Sequence, residues 1–151
     1  MMNKKKLEIY VHIPFCAKKC AYCDFLSFPG NMRMRREYTD KLLEEIRIQS
    51  SFVREYQIDT IFLGGGTPSI LDAADITAIM GALKEHYDIA PDAEVTIEVN
   101  PGTVKMEGLV AYREAGINRV SMGLQSADDT ELRYLGRIHT YDEFLKSFQR
   151  V

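Results

Sequence analysis

Hydrophobic and polar positions alternate along this chain in two ways, as short apolar runs and as longer segments with helical spacing. The short runs predict four β-strands, at residues 7–15, 60–66, 94–100 and 119–126. Between them, apolar residues recur three and four positions apart, which predicts helices at 38–53, 76–87, 106–115 and 129–135. Strands that alternate with helices predict right-handed βαβ units, so we expect an α/β fold with a parallel sheet.

Local signals mark the ends of several predicted helices. Gly116 and Gly136 stand just past two helix ends, a position where glycine is common. Thr140 and Glu143 have the spacing of a capping box, which predicts a last helix carrying Phe144, Leu145, Phe148 and Val151. The pattern as a whole predicts about four βα units.

Residues two apart in a strand share a face, and this parity divides each strand into an apolar and a polar side. Tyr10 and His12 oppose Val11 and Ile13 in the first strand. The polar sides of the third and fourth strands carry Thr96, Glu98, Asn100, Ser121, Gly123 and Gln125. We expect helices to cover the apolar side and the polar side to line a cavity, with its chemistry at the carboxyl ends of the strands.

Composition limits the class of protein. The chain has 151 residues, of which 46% are hydrophobic and 27% charged, which is typical of one globular domain at 1–151. Its net charge of −3 offers no general attraction for nucleic acid, and the basic clusters at 4–6 and 33–36 are interpreted as solvated surface. No apolar run of signal-peptide length precedes the cysteines, so we expect a cytoplasmic protein with reduced thiols.

Three cysteines, Cys16, Cys20 and Cys23, lie within the segment CAKKCAYC, and the sequence contains no others. An odd number within one short loop argues against a disulfide framework. A closed zinc site needs four ligands, and His12 is the only nearby histidine that could complete one. An iron–sulfur cluster held by three thiolates would instead keep one iron open for a further ligand. The cluster fits the count best, with zinc and disulfide as alternatives.

The spacing Cys16-x3-Cys20-x2-Cys23 resembles the signature of the radical S-adenosylmethionine (SAM) superfamily. The resemblance implies a [4Fe–4S] cluster ligated by these three cysteines, with the amino and carboxylate groups of SAM on the fourth iron. It also implies that an electron from the cluster splits SAM into methionine and a 5′-deoxyadenosyl radical. The implied fold is a partial, TIM-like (β/α)6 barrel, of which this chain would be the amino-terminal portion, incomplete at its carboxyl end.

The segment LGGGTPS follows the second predicted strand. It is not a dinucleotide fingerprint, because Ser69 stands where the last glycine is needed, and it lacks the lysine of a phosphate-binding loop. A tight strand-to-helix turn would account for one of its glycines, and bare backbone at the others would let a ligand approach closely. In the radical SAM family the corresponding segment holds the amino group of SAM.

The chain also resembles the family of oxygen-independent coproporphyrinogen III dehydrogenase and its relative, the HemW-type heme chaperone. Five motifs carry this resemblance in order: YVHIPFCAKKCAYCDF, FLGGGTPSIL, IEVNPGTV, INRVSMGLQS and LGRIH. By motif position, it implies SAM contacts from Tyr10, Gly65, Gly66, Thr67, Glu98, Gln125 and Arg137. For Glu98, an ion pair with Arg119 or Arg137 is the structural alternative. His12 is interpreted as a packed, hydrogen-bonded structural residue.

Two departures favour the chaperone group. The dehydrogenases carry a further cysteine two positions after the third motif cysteine, where this chain has Phe25. They also carry a long extension before the motif, which this sequence does not show. We therefore expect a heme chaperone that delivers heme to respiratory proteins, with SAM, heme or porphyrinogen, and an electron donor as partners. The alternatives are radical oxidative decarboxylation of coproporphyrinogen III and a metal-stabilised structural domain without radical chemistry.

Overall fold

A computed structural model describes residues 4–151 of the chain. Four parallel strands form one sheet in chain order, with β1 at Lys5–Ile13, β2 at Tyr56–Gly65, β3 at Ile89–Val99 and β4 at Arg119–Met122. The helices are α1 (Met32–Gln49), α2 (Ala73–His86), α3 (Met106–Glu114), α4 (Asp129–Tyr134) and α5 (Tyr141–Phe148). The predicted α/β fold with about four βα units is confirmed. In the described part of the chain, no helix is both long and apolar enough to cross a membrane.

The core lies between the apolar side of the sheet and the first three helices, as the strand parity predicts. Val11 and Ile13 of β1 and Leu63 and Ile97 of the next two strands are at most 3% exposed. They share one cluster with buried residues of α1, α2 and α3, namely Ile46, Ile76, Ile79, Met80, Leu83 and Tyr112. Burial raises the pKa of Tyr112 to about 12, so its phenol remains neutral. The opposite side of the sheet is left to the polar residues.

The strand ends differ in part from the prediction. β2 and β3 begin at Tyr56 and Ile89, before the predicted residues 60 and 94, and each ends one residue early. β1 ends at Ile13 instead of Phe15, because Pro14 has no N–H group for the sheet ladder. Phe15 instead forms an isolated bridge with Phe28, which closes the base of the cysteine-containing loop. β4 ends at Met122 instead of residue 126, because the chain leaves the extended conformation and adopts a positive φ of 72° at Gln125.

Helix ends also differ in part from the prediction. α1 begins at Met32, well before residue 38, because the Asn31 side chain caps it by accepting a hydrogen bond from the amide of Met34. Three apolar residues predicted to be helical, Val53, Tyr87 and Val151, lie just beyond α1, α2 and α5. The capping box is confirmed, with Thr140 and Glu143 bonded in both directions. Gly116 and Gly136 follow α3 and α4 with φ of 97° and 78°.

Candidate functional site

The carboxyl ends of the strands surround a cavity of about 260 Å³. Because parallel strands present their carboxyl ends at one edge, loops far apart in sequence meet there. The segments CAKKCAYC, GGGTPS, EVNPG and GLQS all contribute to the wall, so the predicted convergence is confirmed. Nine of the residues selected from the sequence line this cavity: Cys16, Cys20, Cys23, Gly65, Gly66, Thr67, Glu98, Gln125 and Arg137.

Tyr10 is the one selected residue that lies beside the cavity and not in its wall. Its ring stacks on Phe62 of the neighbouring strand, with 6.1 Å between the ring centroids. Tyr10 is 57% exposed. Burial of the hydroxyl raises the pKa of Tyr10, and the nearby Glu98 carboxylate raises it further. Tyr10 therefore lies outside the cavity wall, within the electrostatic influence of Glu98.

Three backbone hydrogen bonds hold the cysteine-containing loop in place. At its base, the amide of Cys16 donates to the carbonyl of Phe28 at 3.1 Å. Within it, the amide of Cys23 donates to the carbonyl of Cys20 at 3.1 Å. At its tip, the amide of Ala21 bonds to a backbone carbonyl of the LGRIH segment. All three thiols are free, and Cys16 is buried while the other two are half-buried.

His12 connects β1 to the same loop. Its Nε2 lies 2.9 Å from the carbonyl of Leu26, and a carbonyl can only accept, so Nε2 carries the proton. Nδ1 is then an acceptor for the Tyr10 hydroxyl at 3.1 Å. Both ring nitrogens are thus engaged, which supports the structural interpretation of His12 and leaves no nitrogen free for a zinc ion.

The three glycines of LGGGTPS are explained by packing within the protein. A Cβ at Gly64 would lie 2.7 Å from the Phe62 ring, and one at Gly66 would lie 2.6 Å from the carbonyl oxygen of Phe15. At Gly65 it would lie 2.6 Å from the His12 ring, and the φ of 113° there also favours glycine. That bare backbone at these glycines also lets a ligand approach closely stays a prediction. The close approach of β1 and its loop favours glycine at Gly65 and Gly66, whereas the Phe62 ring and the Glu98 carboxylate favour it at Gly64.

Glu98 faces the cavity from the carboxyl end of β3. Its Oε2 accepts a hydrogen bond from the amide of Gly65 at 3.1 Å. Among the described residues, neither proposed arginine pairs with it. Arg119 contacts Glu94 at 3.4 Å, and the Arg137 guanidinium donates elsewhere in the cavity wall. The ion-pair alternative for Glu98 is therefore wrong, and its carboxylate is held by backbone at the cavity.

A continuous chain of side chains joins two of the cysteines. Arg137 donates from Nη2 to Asn100 Oδ1 at 2.9 Å and to the carbonyl of Gly123 at 2.7 Å. Asn100 donates from Nδ2 to Thr67 Oγ1 at 2.8 Å. The ends of the chain reach sulfur, with Thr67 Oγ1 at 3.6 Å from Cys16 Sγ and Arg137 Nη1 at 3.7 Å from Cys20 Sγ.

The donor set fits an iron–sulfur cluster better than a single metal ion. Within residues 4–151, no three His, Cys, Asp or Glu side chains are grouped to hold one ion. A cubane cluster does not require such a group, because each thiolate binds a different iron and the sulfurs need not converge on one point. Three free thiols line one cavity, and N–H and O–H groups lie against two of them. Hydrogen bonds of this kind are typical around cluster sulfurs.

Several residues of the cavity wall carry no predicted cofactor contact. These residues are Lys18, Tyr22, Phe25, Asn100, Ser121 and Gly123. Lys18 and Tyr22 lie between the motif cysteines, which is itself a signal for proximity to the thiols. Ser121 of β4 pairs with Glu98 of β3, and Asn100 directly follows β3, two positions after Glu98. Strand parity therefore predicts that Asn100 faces the cavity, whereas its link to Arg137 depends on a contact across 37 positions.

Several known proteins have sequences similar to that of this chain. An Escherichia coli (strain K12) protein named heme chaperone HemW is 39% identical over 140 residues, covering 92% of this chain and 37% of that protein. A mitochondrial Bos taurus protein named radical S-adenosyl methionine domain-containing protein 1 is 34% identical, covering 96% of this chain and 33% of that protein. The chain thus spans about a third of the length of these relatives.

A solved structure of a radical SAM enzyme is also similar to this chain. Coproporphyrinogen III oxidase (HemN) from Escherichia coli, described as a radical SAM enzyme, superposes with a TM-score of 0.88 at 30% sequence identity. The match covers 97% of this chain and 34% of that protein. Residues 10–151 match the radical SAM superfamily, a range that contains every residue of the cavity described above. The chain belongs to the radical SAM superfamily.

Proposed function

We propose that this chain forms the cluster-binding and SAM-binding part of a heme chaperone. One observation carries the proposal: three free cysteines line a cavity together with Glu98 and the GGGT backbone. Cys16, Cys20 and Cys23 would hold a [4Fe–4S] cluster, which when bound supplies an electron and an open iron for SAM. The names of its bacterial relatives support heme as the cargo.

The other predicted residues in and beside the cavity would bind SAM. Glu98 offers a carboxylate anchored by Gly65, which we propose receives the polar groups of SAM. Gly66, Thr67, Gln125 and Arg137 would complete the SAM site from the facing loops. Tyr10 would contribute from beside the cavity, where its hydroxyl is held by His12.

We also propose the extent of the whole protein, its partners and its compartment. Because the chain spans 37% of its Escherichia coli relative, we propose that residues 1–151 are the amino-terminal part of a longer radical SAM domain. Respiratory heme proteins would be the clients, and an electron donor would reduce the cluster. Three free thiols suit the reducing conditions of the cytoplasm, which we propose as the compartment.

The second candidate is oxidative decarboxylation of coproporphyrinogen III. The TM-score of 0.88 with coproporphyrinogen III oxidase favours it. Phe25 argues against it, because this residue lines the cavity where the dehydrogenases carry a further cysteine. Phe25 is 67% exposed, and it therefore presents an apolar ring where a thiol would otherwise stand.

Both candidates are tested on the full-length protein after anaerobic loading with iron and sulfide. The chaperone hypothesis predicts that the protein binds heme and transfers it to an apo heme protein. It also predicts that coproporphyrinogen III is not converted to protoporphyrinogen. Conversion of coproporphyrinogen III in many turnovers, without heme transfer, would contradict the chaperone and support the enzyme. A Cys20→Ala variant controls for chemistry that does not depend on the cluster.

A further inference from the structure

Asn100 lies between the Arg137 guanidinium and the Thr67 hydroxyl, immediately after β3. The guanidinium has only donors, so the atom of Asn100 that lies 2.9 Å from Arg137 Nη2 must be the amide oxygen Oδ1. The amide group must then turn its nitrogen toward Thr67, where it donates at 2.8 Å. Arg137 therefore fixes the orientation of the Asn100 side chain.

Thr67 passes this orientation on to Cys16. Its hydroxyl oxygen already accepts from Asn100, so its single proton is available for the Cys16 sulfur 3.6 Å away. Thr67 is 3% exposed and Cys16 is 9% exposed, so little water competes for this contact. The thiolate of Cys16 thereby gains an O–H donor, and Arg137 sets the direction of that donor through Asn100.

Arg137 reaches a second sulfur directly. While Nη2 is held by Asn100 Oδ1 and by the carbonyl of Gly123, Nη1 lies 3.7 Å from Cys20 Sγ. Without the Asn100 oxygen, only one of the two bonds that hold this end of the guanidinium would remain. Asn100 thus acts at both ends of the network, as the donor to Thr67 and as the acceptor from Arg137.

We propose that Asn100 is a positioning residue that directs two hydrogen bonds to cluster-ligating sulfurs, one from Thr67 to Cys16 and one from Arg137 to Cys20. This proposal rests on the proposed function, because it takes both cysteines as cluster ligands. Hydrogen bonds to these sulfurs stabilise the more negatively charged, reduced state of an iron–sulfur cluster. The network would therefore raise the reduction potential and make the cluster easier to reduce.

The first test compares two asparagines at opposite ends of the sheet. Asn100→Leu removes both amide contacts at nearly constant size. Asn118→Leu is the matched control, because Asn118 also uses both amide ends, accepting from Val95 at 2.8 Å and donating to Ala93 at 2.9 Å. In the iron-loaded full-length protein, the midpoint potential is measured by redox titration followed by electron paramagnetic resonance. Asn100→Leu should shift it to a more negative value, whereas Asn118→Leu should leave it at the parent value.

A second pair of variants keeps the test decisive if Asn100→Leu loads no iron. Thr67→Val removes the hydroxyl proton with little change in shape, and Thr67→Ser retains it. The valine variant should show a negative shift smaller than that of Asn100→Leu, since only one sulfur loses its donor. The serine variant should have a midpoint potential close to that of the parent. Equal potentials for Thr67→Val, Thr67→Ser and the parent would overturn the proposal.

Other outcomes separate this proposal from the proposed function. An iron-loaded parent whose potential is unchanged by Asn100→Leu, or is shifted equally by Asn118→Leu, would overturn the role of Asn100 alone. A parent protein that takes up no iron would overturn the proposed function and the network's role together.

Discussion

The backbone amide of Ala21 donates a 3.0 Å hydrogen bond to the carbonyl of Leu135, so the tip of the cysteine-containing loop is bound to the LGRIH segment. The next residue, Gly136, packs so closely on the loop that an added Cβ would lie 3.2 Å from the Ala21 nitrogen. Arg137 then extends toward Cys20 from the same segment. A segment from the far end of the chain therefore positions the thiols.

Gly136→Ala tests this contact, with Gly102→Ala as its control. Both glycines have nearly the same φ, 78° and 77°, so both variants should lose about 1–2 kcal/mol from the left-handed conformation. Only Gly136 faces the loop, because a Cβ at Gly102 meets nothing within 4 Å. We expect Gly136→Ala alone to lose cluster iron faster to a chelator. Equal rates for the two variants would show that the contact does not support the loop.

Gly65→Ala should destabilise the protein irrespective of any ligand. Its φ of 113° and the His12 ring 2.6 Å from the added Cβ predict a loss of roughly 1–3 kcal/mol in the free energy of unfolding. Gly81→Ala is the control, since Gly81 lies inside α2 with open space around it and alanine there should stabilise by about 0.5–1 kcal/mol. Chemical unfolding measures both. A Gly65→Ala variant as stable as the parent would contradict the packing explanation.

Glu98→Ala should weaken SAM binding while iron content remains near that of the parent. Removing a charged hydrogen-bonding group costs about 1.5–3 kcal/mol, which corresponds to about a 10-fold to 150-fold rise in the dissociation constant. Glu94→Ala is the matched control, because Glu94 lies on the same strand but contacts Arg119 away from the cavity. Equilibrium binding of SAM to the iron-loaded protein is the measurement. Equal affinities for both variants would remove Glu98 from the SAM site.

His139 should make stability depend on pH below neutrality. Burial lowers the pKa of His139 below its ordinary value of 6.5, and the Arg137 guanidinium lowers it further. The unfolded chain therefore binds this proton first as the pH falls below 6.5, and the folded state loses stability until the pH reaches the lower, folded pKa. Between about pH 7.5 and about pH 5.5, the unfolding free energy should fall more in the parent than in His139→Gln. Parallel pH profiles would contradict this account.

The sequence predicts the sheet and the convergence of its loops because both follow from local patterns. Strand parity identifies the polar side, and the cysteine spacing identifies the candidate ligands. The reason for each glycine could not be predicted, because it depends on which side chain faces it, such as the His12 ring at Gly65. The backbone amide of Gly65 that meets Glu98 could not be predicted for the same reason, and the alternative of an arginine partner for Glu98 was wrong.

The central claim is that Cys16, Cys20 and Cys23 together hold a [4Fe–4S] cluster, and iron content after anaerobic reconstitution tests it most directly. The full-length parent should bind about four irons and about four sulfides per chain, with the broad visible absorption of such a cluster. Replacing any one of the three cysteines with alanine should largely abolish both iron and absorption. Stoichiometric zinc without iron in the parent, or full iron content in any of the alanine variants, would contradict the claim.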